Sequence, residues 1–100
     1  MLDRLTLNDF EKLLGLEHIL TVGPDRAVKV VLSEARSLGV APLGDATRSP
    51  FSLVFDALES GRIEQRTYTL TFPDGASTDI FLVPIGLTPD GGTRLQAIFT

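Results

Sequence analysis

The chain has 100 residues, of which 43% are hydrophobic and 22% are charged, and its formal net charge is -4. This length and balance predict one globular domain over residues 1–100, because a disordered chain has less apolar content. The negative charge argues against binding nucleic acid or anionic lipid, since both depend on clustered basic residues. The chain has no cysteine, which excludes disulfides, thiolate nucleophiles and cysteine metal sites.

No segment has the pattern of a targeting signal or a membrane helix. The N-terminal residues lack the basic start and the apolar core of a secretory signal. The longest apolar run, residues 80–85, is far shorter than the roughly 20 residues that span a bilayer. Together with the absence of cysteine, these features favour a cytoplasmic protein without a membrane partner.

A short helix is predicted over residues 7–14. Thr6 is a suitable N-cap, because its hydroxyl can accept a hydrogen bond from the first turn. Apolar residues then recur at helical spacing up to Leu14, and Gly15 can adopt the left-handed conformation that ends a helix. A helix this short is not stable alone, so its apolar side must pack on the rest of the domain.

Six segments then alternate apolar and polar residues with the period of a β-strand. They are residues 16–22, 28–32, 51–55, 68–72, 78–85 and 95–99. Turn sequences stand at 23–25, 73–75 and 89–92, a polar loop is predicted at 41–50, and Gly61 permits a bend. The broken pattern at 33–36 indicates a bulge or a strand that runs past the core.

No helical segment separates the strands, so a parallel α/β sheet is disfavoured. The sequence therefore predicts a mainly β domain. About six antiparallel strands form a small barrel or a two-layer sandwich, with the short N-terminal helix packing on it.

The strand at residues 78–85 is apolar on both faces, with Ile80 and Leu82 on one face and Phe81 on the other. One face belongs in the core, and the second must be covered by the helix, a protein partner or a second copy. We expect the helix to cover it. If it does not, Ile80 and Leu82, with Ile98 of the last strand, are the candidate interface.

No residue pattern predicts a catalytic, cofactor or metal site, so the chain is not expected to be an enzyme. His18 is the only histidine, but it falls on an apolar strand face, where a buried, hydrogen-bonded histidine is the simpler interpretation. The serines lack a nucleophile-elbow setting, and the Pro-Asp-Gly turns lack the ligand spacing of a calcium loop. Glu34 and Asp56 interrupt strands, as charges that protect sheet edges do.

Several motifs resemble a family of small bacterial all-β domains of unknown function. They are L-T-L-x-x-F-x-x-L-x-G at residues 5–15, P-F-S-L-x-F at 50–55, F-L-V-P-I-G at 81–86 and A-x-F-T at 97–100, while residues 44–49 depart from the pattern. The resemblance implies the fold and supplies no catalytic residues. Such domains are associated with genes for phage-derived, tail-collar-type proteins, so the resemblance also implies a structural or assembly accessory role.

Two hypotheses for the function remain. The first is a non-enzymatic structural or protein-interaction domain, which binds a protein partner or associates with itself. The second is a small-molecule-binding barrel or an enzyme of unfamiliar type, which requires a concave apolar pocket with a few polar groups. His18, Glu34 and Tyr68 are the candidate lining residues of that pocket.

Overall fold

Six antiparallel strands close into a barrel in the spatial order β1-β2-β3-β6-β5-β4. The computed structural model describes residues 6–38, 50–60 and 63–99, with the backbone alone at residues 59 and 60. Its elements are α1 (Leu7–Glu11), β1 (Glu17–Gly23), β2 (Arg26–Ser37), β3 (Phe51–Ser60), β4 (Arg66–Thr71), β5 (Ser77–Leu87) and β6 (Gly92–Phe99). The predicted mainly β fold is confirmed, and the barrel is the form it takes.

The barrel forms because alternate residues of every strand are apolar and can point to one common interior. The interior is filled by aliphatic and aromatic side chains that are almost completely buried. Among them are Leu20, Val28, Val30, Leu32, Leu53, Phe55, Leu70, Ile80, Leu82 and Leu95. Full burial of one such side chain contributes roughly 1.5–3 kcal/mol, so this filled interior is the main source of the stability of the domain.

Two of the four register shifts between described strands fall where the sequence pattern breaks. The pairing of β2 with β3 shifts between Leu32 and Glu34, and β2 continues beyond the bulge to Ser37. The pairing of β5 with β6 shifts between Pro84 and Gly86, because proline has no N–H to donate to the ladder. The predicted irregularity at 33–36 is therefore confirmed, as are the turns before β2, β5 and β6.

The pairings that close the barrel are short. β1 and β4 are joined by three residue pairs, from Ile19–Thr71 to Thr21–Thr69. The β5–β6 pairing ends at Val83 and Gln96, although β5 begins at Ser77 and β6 continues to Phe99. Beyond that point β5 is paired with β4, and β6 is paired with β3.

The helix α1 is shorter than predicted and ends at Glu11. Thr6 caps it as expected: the Thr6 hydroxyl accepts from the Asp9 N–H at 3.4 Å, and the Asp9 carboxylate accepts from the Thr6 N–H at 2.8 Å. Turns replace the last predicted helical turn, and Gly15 adopts the expected left-handed φ of 81°. The Gly15 N–H donates to the Leu32 carbonyl at 2.8 Å, which ties the chain to β2 and directs it into β1.

The apolar side of α1 closes one end of the barrel. Phe10 is 1% exposed, and its ring lies 5.8 Å from that of Phe51, 5.9 Å from Phe99 and 6.2 Å from Phe72. The expectation that the helix packs on the barrel is confirmed. The expectation that it covers the second face of the strand at 78–85 is wrong, because Phe81 on that face is 51% exposed.

Three sequence-based predictions concern residues outside the described ranges. They are the bend at Gly61, the departure from the family pattern at 44–49, and all of the predicted loop at 41–50 except Pro50. Within residues 6–38, 50–60 and 63–99, no helix has the length and apolar character needed to cross a membrane.

Candidate functional site

His18 lies inside the barrel and is the most unusual polar group there. It is 1% exposed, and its ring packs edge-on against Phe55 at 5.6 Å and Phe72 at 5.8 Å. The Nδ1 atom lies 3.0 Å from the Leu16 carbonyl, which can only accept, so Nδ1 carries the proton. The Nε2 atom is buried and has no hydrogen-bond partner among the described residues. The ring is therefore a neutral member of the core.

Burial lowers the pKa of His18 below its ordinary value of 6.5, and the hydrogen bond to Leu16 opposes this shift only in part. A charged imidazole in these surroundings would lose its hydration without gaining a counter-ion. A general base needs access to a substrate proton, and His18 is shut off from solvent by two aromatic rings. The geometry fits the structural interpretation of this histidine.

The structure does not bring together His18, Glu34 and Tyr68. The Tyr68 hydroxyl donates to the Glu64 carbonyl at 2.5 Å, and burial raises the pKa of this phenol. Glu34 is on the outside of the barrel, where its carboxylate lies 3.0 Å from Arg36. The proposed pocket of these three residues is therefore wrong, because a bulge turns Glu34 outward and apolar side chains fill the interior.

The candidate interface at Ile80, Leu82 and Ile98 is corrected in part. Ile80 and Leu82 are 1% and 0% exposed, so they belong to the barrel core and cannot contact a partner. Ile98 points outward and is 59% exposed. The alternation along β5 was recognised, but the strand alone does not show which of its two apolar faces turns inward. The exposed face is the one that carries Phe81.

Several apolar side chains lie on the outside of β5 and β6. We define the outer apolar face as Phe81, Val83 and Ile85 of β5 together with Ile98 of β6. Phe81, Ile85 and Ile98 are about half exposed, at 51%, 48% and 59%. The β5–β6 pairing ends at Val83 and Gln96, so Phe81 and Ile98 each lie two residues beyond its last pair, where they face Thr67 of β4 and Ser52 of β3. The exposed apolar side chains thus lie on the outside of two strands that are neighbours in the barrel order.

Charged pairs border the outer apolar face. Arg94 of β6 contacts Asp56 of β3 through both ends of its guanidinium, at 2.9 Å from Nε to Oδ1 and 3.3 Å from Nη2 to Oδ2. Hydrogen bonding to Asp56, supported by the nearby charge of Glu34, raises the pKa of Arg94. The expectation that Asp56 protects a sheet edge is wrong, because β3 is paired on both sides. Asp56 instead holds an arginine beside the apolar surface.

Two open grooves accompany this arrangement. One, of about 330 Å³, runs over Val54 on the outside of the barrel and is bounded by Ser33, Glu34, Ile85 and Arg94. It continues the outer apolar face toward β2. The second, of about 270 Å³, lies between α1 and the turn that joins β4 to β5. It is smaller than the ~300–1,000 Å³ of typical ligand pockets.

Sequence reasoning missed Ile85 and Arg94 as members of this surface. Ile85 is the residue between the shifted partners Pro84 and Gly86, so the period-two rule that assigns faces does not apply to it. Arg94 contacts Asp56 across 38 positions of sequence, which no local pattern can show. Pro84 was the available signal, because it marked the place where the alternation would fail.

No metal-binding group emerges from the described side chains: within the described ranges, no cluster of three or more histidine, aspartate or glutamate residues could hold an ion.

One family model, described as a domain of unknown function (DUF6916), matches residues 5–99. No curated protein and no solved structure matches the chain. The match covers nearly all of the sequence, including every described strand. Its description assigns no activity, so the function must be argued from the geometry of this chain.

Proposed function

We propose that the chain, which belongs to the DUF6916 family of domains of unknown function, is a non-enzymatic protein-interaction domain that binds through its outer apolar face. The observation that carries this proposal is the exposure of three large apolar side chains, Phe81, Ile85 and Ile98, on the outside of two strands that are neighbours in the barrel order. Single exposed apolar residues are ordinary on protein surfaces, whereas contiguous ones bordered by polar groups mark interaction sites.

The composition of this face fits a protein partner better than other partner classes. An aromatic and two isoleucines, with arginine and carboxylate pairs near Ile85, resemble the apolar and polar parts of a protein interface. The acid next to each arginine weakens attraction to nucleic acid or anionic lipid. The packed interior leaves little room for a small molecule inside the barrel, so a ligand would have to bind in an open groove such as the one of about 540 Å³ beside Ile63, Pro84 and Thr93.

The assembly accessory role implied by the family resemblance would use the same surface. A rigid barrel presents its outer side chains in fixed positions, because the strands that carry them are held by a packed interior. Rigid presentation lowers the entropy lost on binding. A cytoplasmic location for this role stays a prediction from the composition.

The test compares two substitutions of one chemical kind on opposite strands. Ile98→Thr removes an exposed apolar group from the outer apolar face, and Ile19→Thr makes the same change on β1, which is farthest from β6 in the strand order. Threonine suits both strand positions, so the fold should persist in each variant. Proteins that the wild-type chain captures from cells of the source organism are purified. Their binding to the wild-type chain and to both variants is then measured.

We expect a partner, whether a different protein or the chain itself, to bind wild type and Ile19→Thr alike. Ile98→Thr should weaken that binding by about tenfold, the effect of ~1.4 kcal/mol of lost apolar contact. Equal binding by both variants would overturn the proposal. So would the absence of any association, with itself or with a purified captured protein, at micromolar concentrations.

A further inference from the structure

We propose that the contact between His18 and Phe72 is an acid-sensitive closure of one end of the barrel: a proton taken up by His18 displaces Phe72 and opens that end beside α1. The two rings lie 5.8 Å apart at an angle of 70°. His18 is 1% exposed, and its Nε2 atom has no hydrogen-bond partner among the described residues. Because Nδ1 already carries a proton, the contact buries the one nitrogen that can accept another.

The contact continues the pairing of β1 with β4 by one position. The last residue pair is Ile19 with Thr71, so one further step along both strands sets His18 opposite Phe72. The backbone of Phe72 belongs to the following turn, where its N–H donates to the Ala76 carbonyl at 2.7 Å. At this position β1 and the end of β4 are therefore held together by two aromatic side chains, without a ladder pair.

Of the two rings packed on His18, Phe72 is the one that can move. Phe55 is 0% exposed and lies within β3, where it is paired with Leu32 on one side and Leu95 on the other. Phe72 is only partly buried and follows the last residue of β4. Residues at the ends of strands open locally at a lower free energy than residues in the middle of a sheet. An opening at His18 therefore proceeds through Phe72.

No charged side chain of the described residues faces the His18 ring. The charged residues nearest to the ring on each surrounding element point to solvent or to other partners. They are Glu17 of β1, Lys29 of β2, Asp56 of β3, Asp74 of the turn after Phe72, and Asp9 of α1. Burial and the hydrogen bond to Leu16 set the pKa of the ring, without a contribution from a charge. A proton on Nε2 thus has no counter-ion in the closed barrel.

Protonation therefore favours the open form. A charged imidazole has two N–H donors, and burying one of them unpaired is costly. Displacement of Phe72 lets water reach Nε2, so the open form binds the proton more readily and its population increases as the pH falls below 6.5. The same movement separates Phe72 from Phe10, whose rings lie 6.2 Å apart, and widens the groove between α1 and the turn. Acid would thus expose apolar surface at this end of the barrel.

A second turn of the chain is a matched internal control. Residues 72–76 and 88–92 both contain Pro-Asp-Gly at their second to fourth positions. In each turn the first N–H donates to the fifth carbonyl, and the glycine N–H donates to the first carbonyl. The second turn begins with Thr88, which has no aromatic ring. Amide hydrogen exchange, followed by NMR and corrected for the intrinsic rate of each amide, compares the two turns at pH 7.5 and pH 5.5, ~1 unit either side of the ordinary pKa.

We expect the protection of the Phe72 and Gly75 amides to fall between these pH values by up to about tenfold, the limit for one proton taken up over one pH unit. The Thr88 and Gly91 amides should change little. An equal fall in both turns would overturn the proposal, because acid would then loosen the whole domain. Unchanged protection at Phe72 would overturn it as well.

His18→Phe tests whether the histidine is the responsible group, because it keeps an aromatic ring and removes the proton-binding nitrogen. The pH dependence at Phe72 should disappear in this variant, and its persistence would contradict the proposal. The wild type supplies a readout that needs no substitution. The NMR signal of the His18 Cε1 proton reports when the ring is charged, and the protection of Phe72 must fall over the same pH range. A fall at a different pH would refute the coupling.

Discussion

His18 shows what one buried polar side chain does to the domain. The ring is neutral, donates from Nδ1 to Leu16 and fills space between Phe55 and Phe72. Its pKa in the folded chain is lower than the ordinary 6.5, because burial penalises the charged form. The unfolded chain therefore binds a proton more readily than the folded chain as the pH decreases.

This difference fixes the direction of the pH dependence. Above pH 6.5 the ring is neutral in both states, and its contribution to stability is fully present. Below that value the unfolded state gains the proton first, so stability is lost as the pH falls toward and through the folded pKa. The urea midpoint of the wild type should thus be lower at pH 5.5 than at pH 7.5, both ~1 unit from the ordinary pKa.

The matched variant for this prediction is His18→Phe, which keeps an aromatic ring among aromatic neighbours. It removes the titrating group, so its urea midpoint should decrease less between pH 7.5 and pH 5.5, ~1 unit either side of the ordinary pKa, than the midpoint of the wild type does. A wild type with equal midpoints, or a variant with the full decrease, would show that His18 is not the responsible group.

At the scale of single elements, α1 contributes to the fold mainly through Phe10. Three aromatic rings surround this side chain at the end of the barrel, and the helix itself is a single capped turn. Phe10→Ala should lower the free energy of unfolding by about 3–5 kcal/mol, the usual cost of emptying a buried phenylalanine site. Leu14→Ala is the control: Leu14 is exposed, so its change should cost far less. Similar denaturant midpoints for the two variants would contradict this role of the helix.

The start of β6 has no room for a residue larger than glycine. A side-chain carbon on Gly92 would overlap the backbone carbonyl of Ala57 on β3, whereas nothing lies near the same position of Gly86. Gly92→Ala should therefore destabilise the chain by about 1–3 kcal/mol through forced backbone movement. Gly86→Ala is expected to be close to neutral, since its φ is not in the left-handed region. Thermal unfolding of both variants measures the difference, and equal melting temperatures would refute the close approach.

For the whole molecule, the positions of the strands can be predicted from the sequence, whereas the order in which the strands pair to close the barrel cannot. Alternation identifies the six strands, the turns and the interior positions, because a filled barrel demands apolar residues at every second position. This alternation does not reveal the strand order. β3 pairs with β6, although β4 is the next strand along the chain. The sequence also does not show which apolar face of β5 points inward: Ile80 and Leu82 are buried, and Phe81 is exposed.

The candidate site likewise combines features that the sequence predicts with features that only the structure shows. The charge pair of Arg94 and Asp56 and the outward position of Ile85 depend on the pairing of β6 with its two neighbours. The sequence contains the apolar residues and the irregularity at Pro84, but only the assembled barrel places them on one surface. The sequence therefore predicts a strand that is apolar on both faces, but it does not predict which residues form the outer apolar face.

The three residue pairs between β1 and β4 have a consequence for how the chain folds and misfolds. All other neighbours of β1 and β4 are hairpin partners close in sequence, whereas these pairs join positions near 20 to positions near 70. Loop-closure entropy delays such distant contacts, so this seam is the natural last step of folding. While these pairs are formed, every strand of the barrel has two neighbouring strands. When it opens, the barrel becomes a sheet with two bare edges, and each edge can template pairing with another chain. Three residue pairs thus separate the closed barrel from an open sheet with exposed edges.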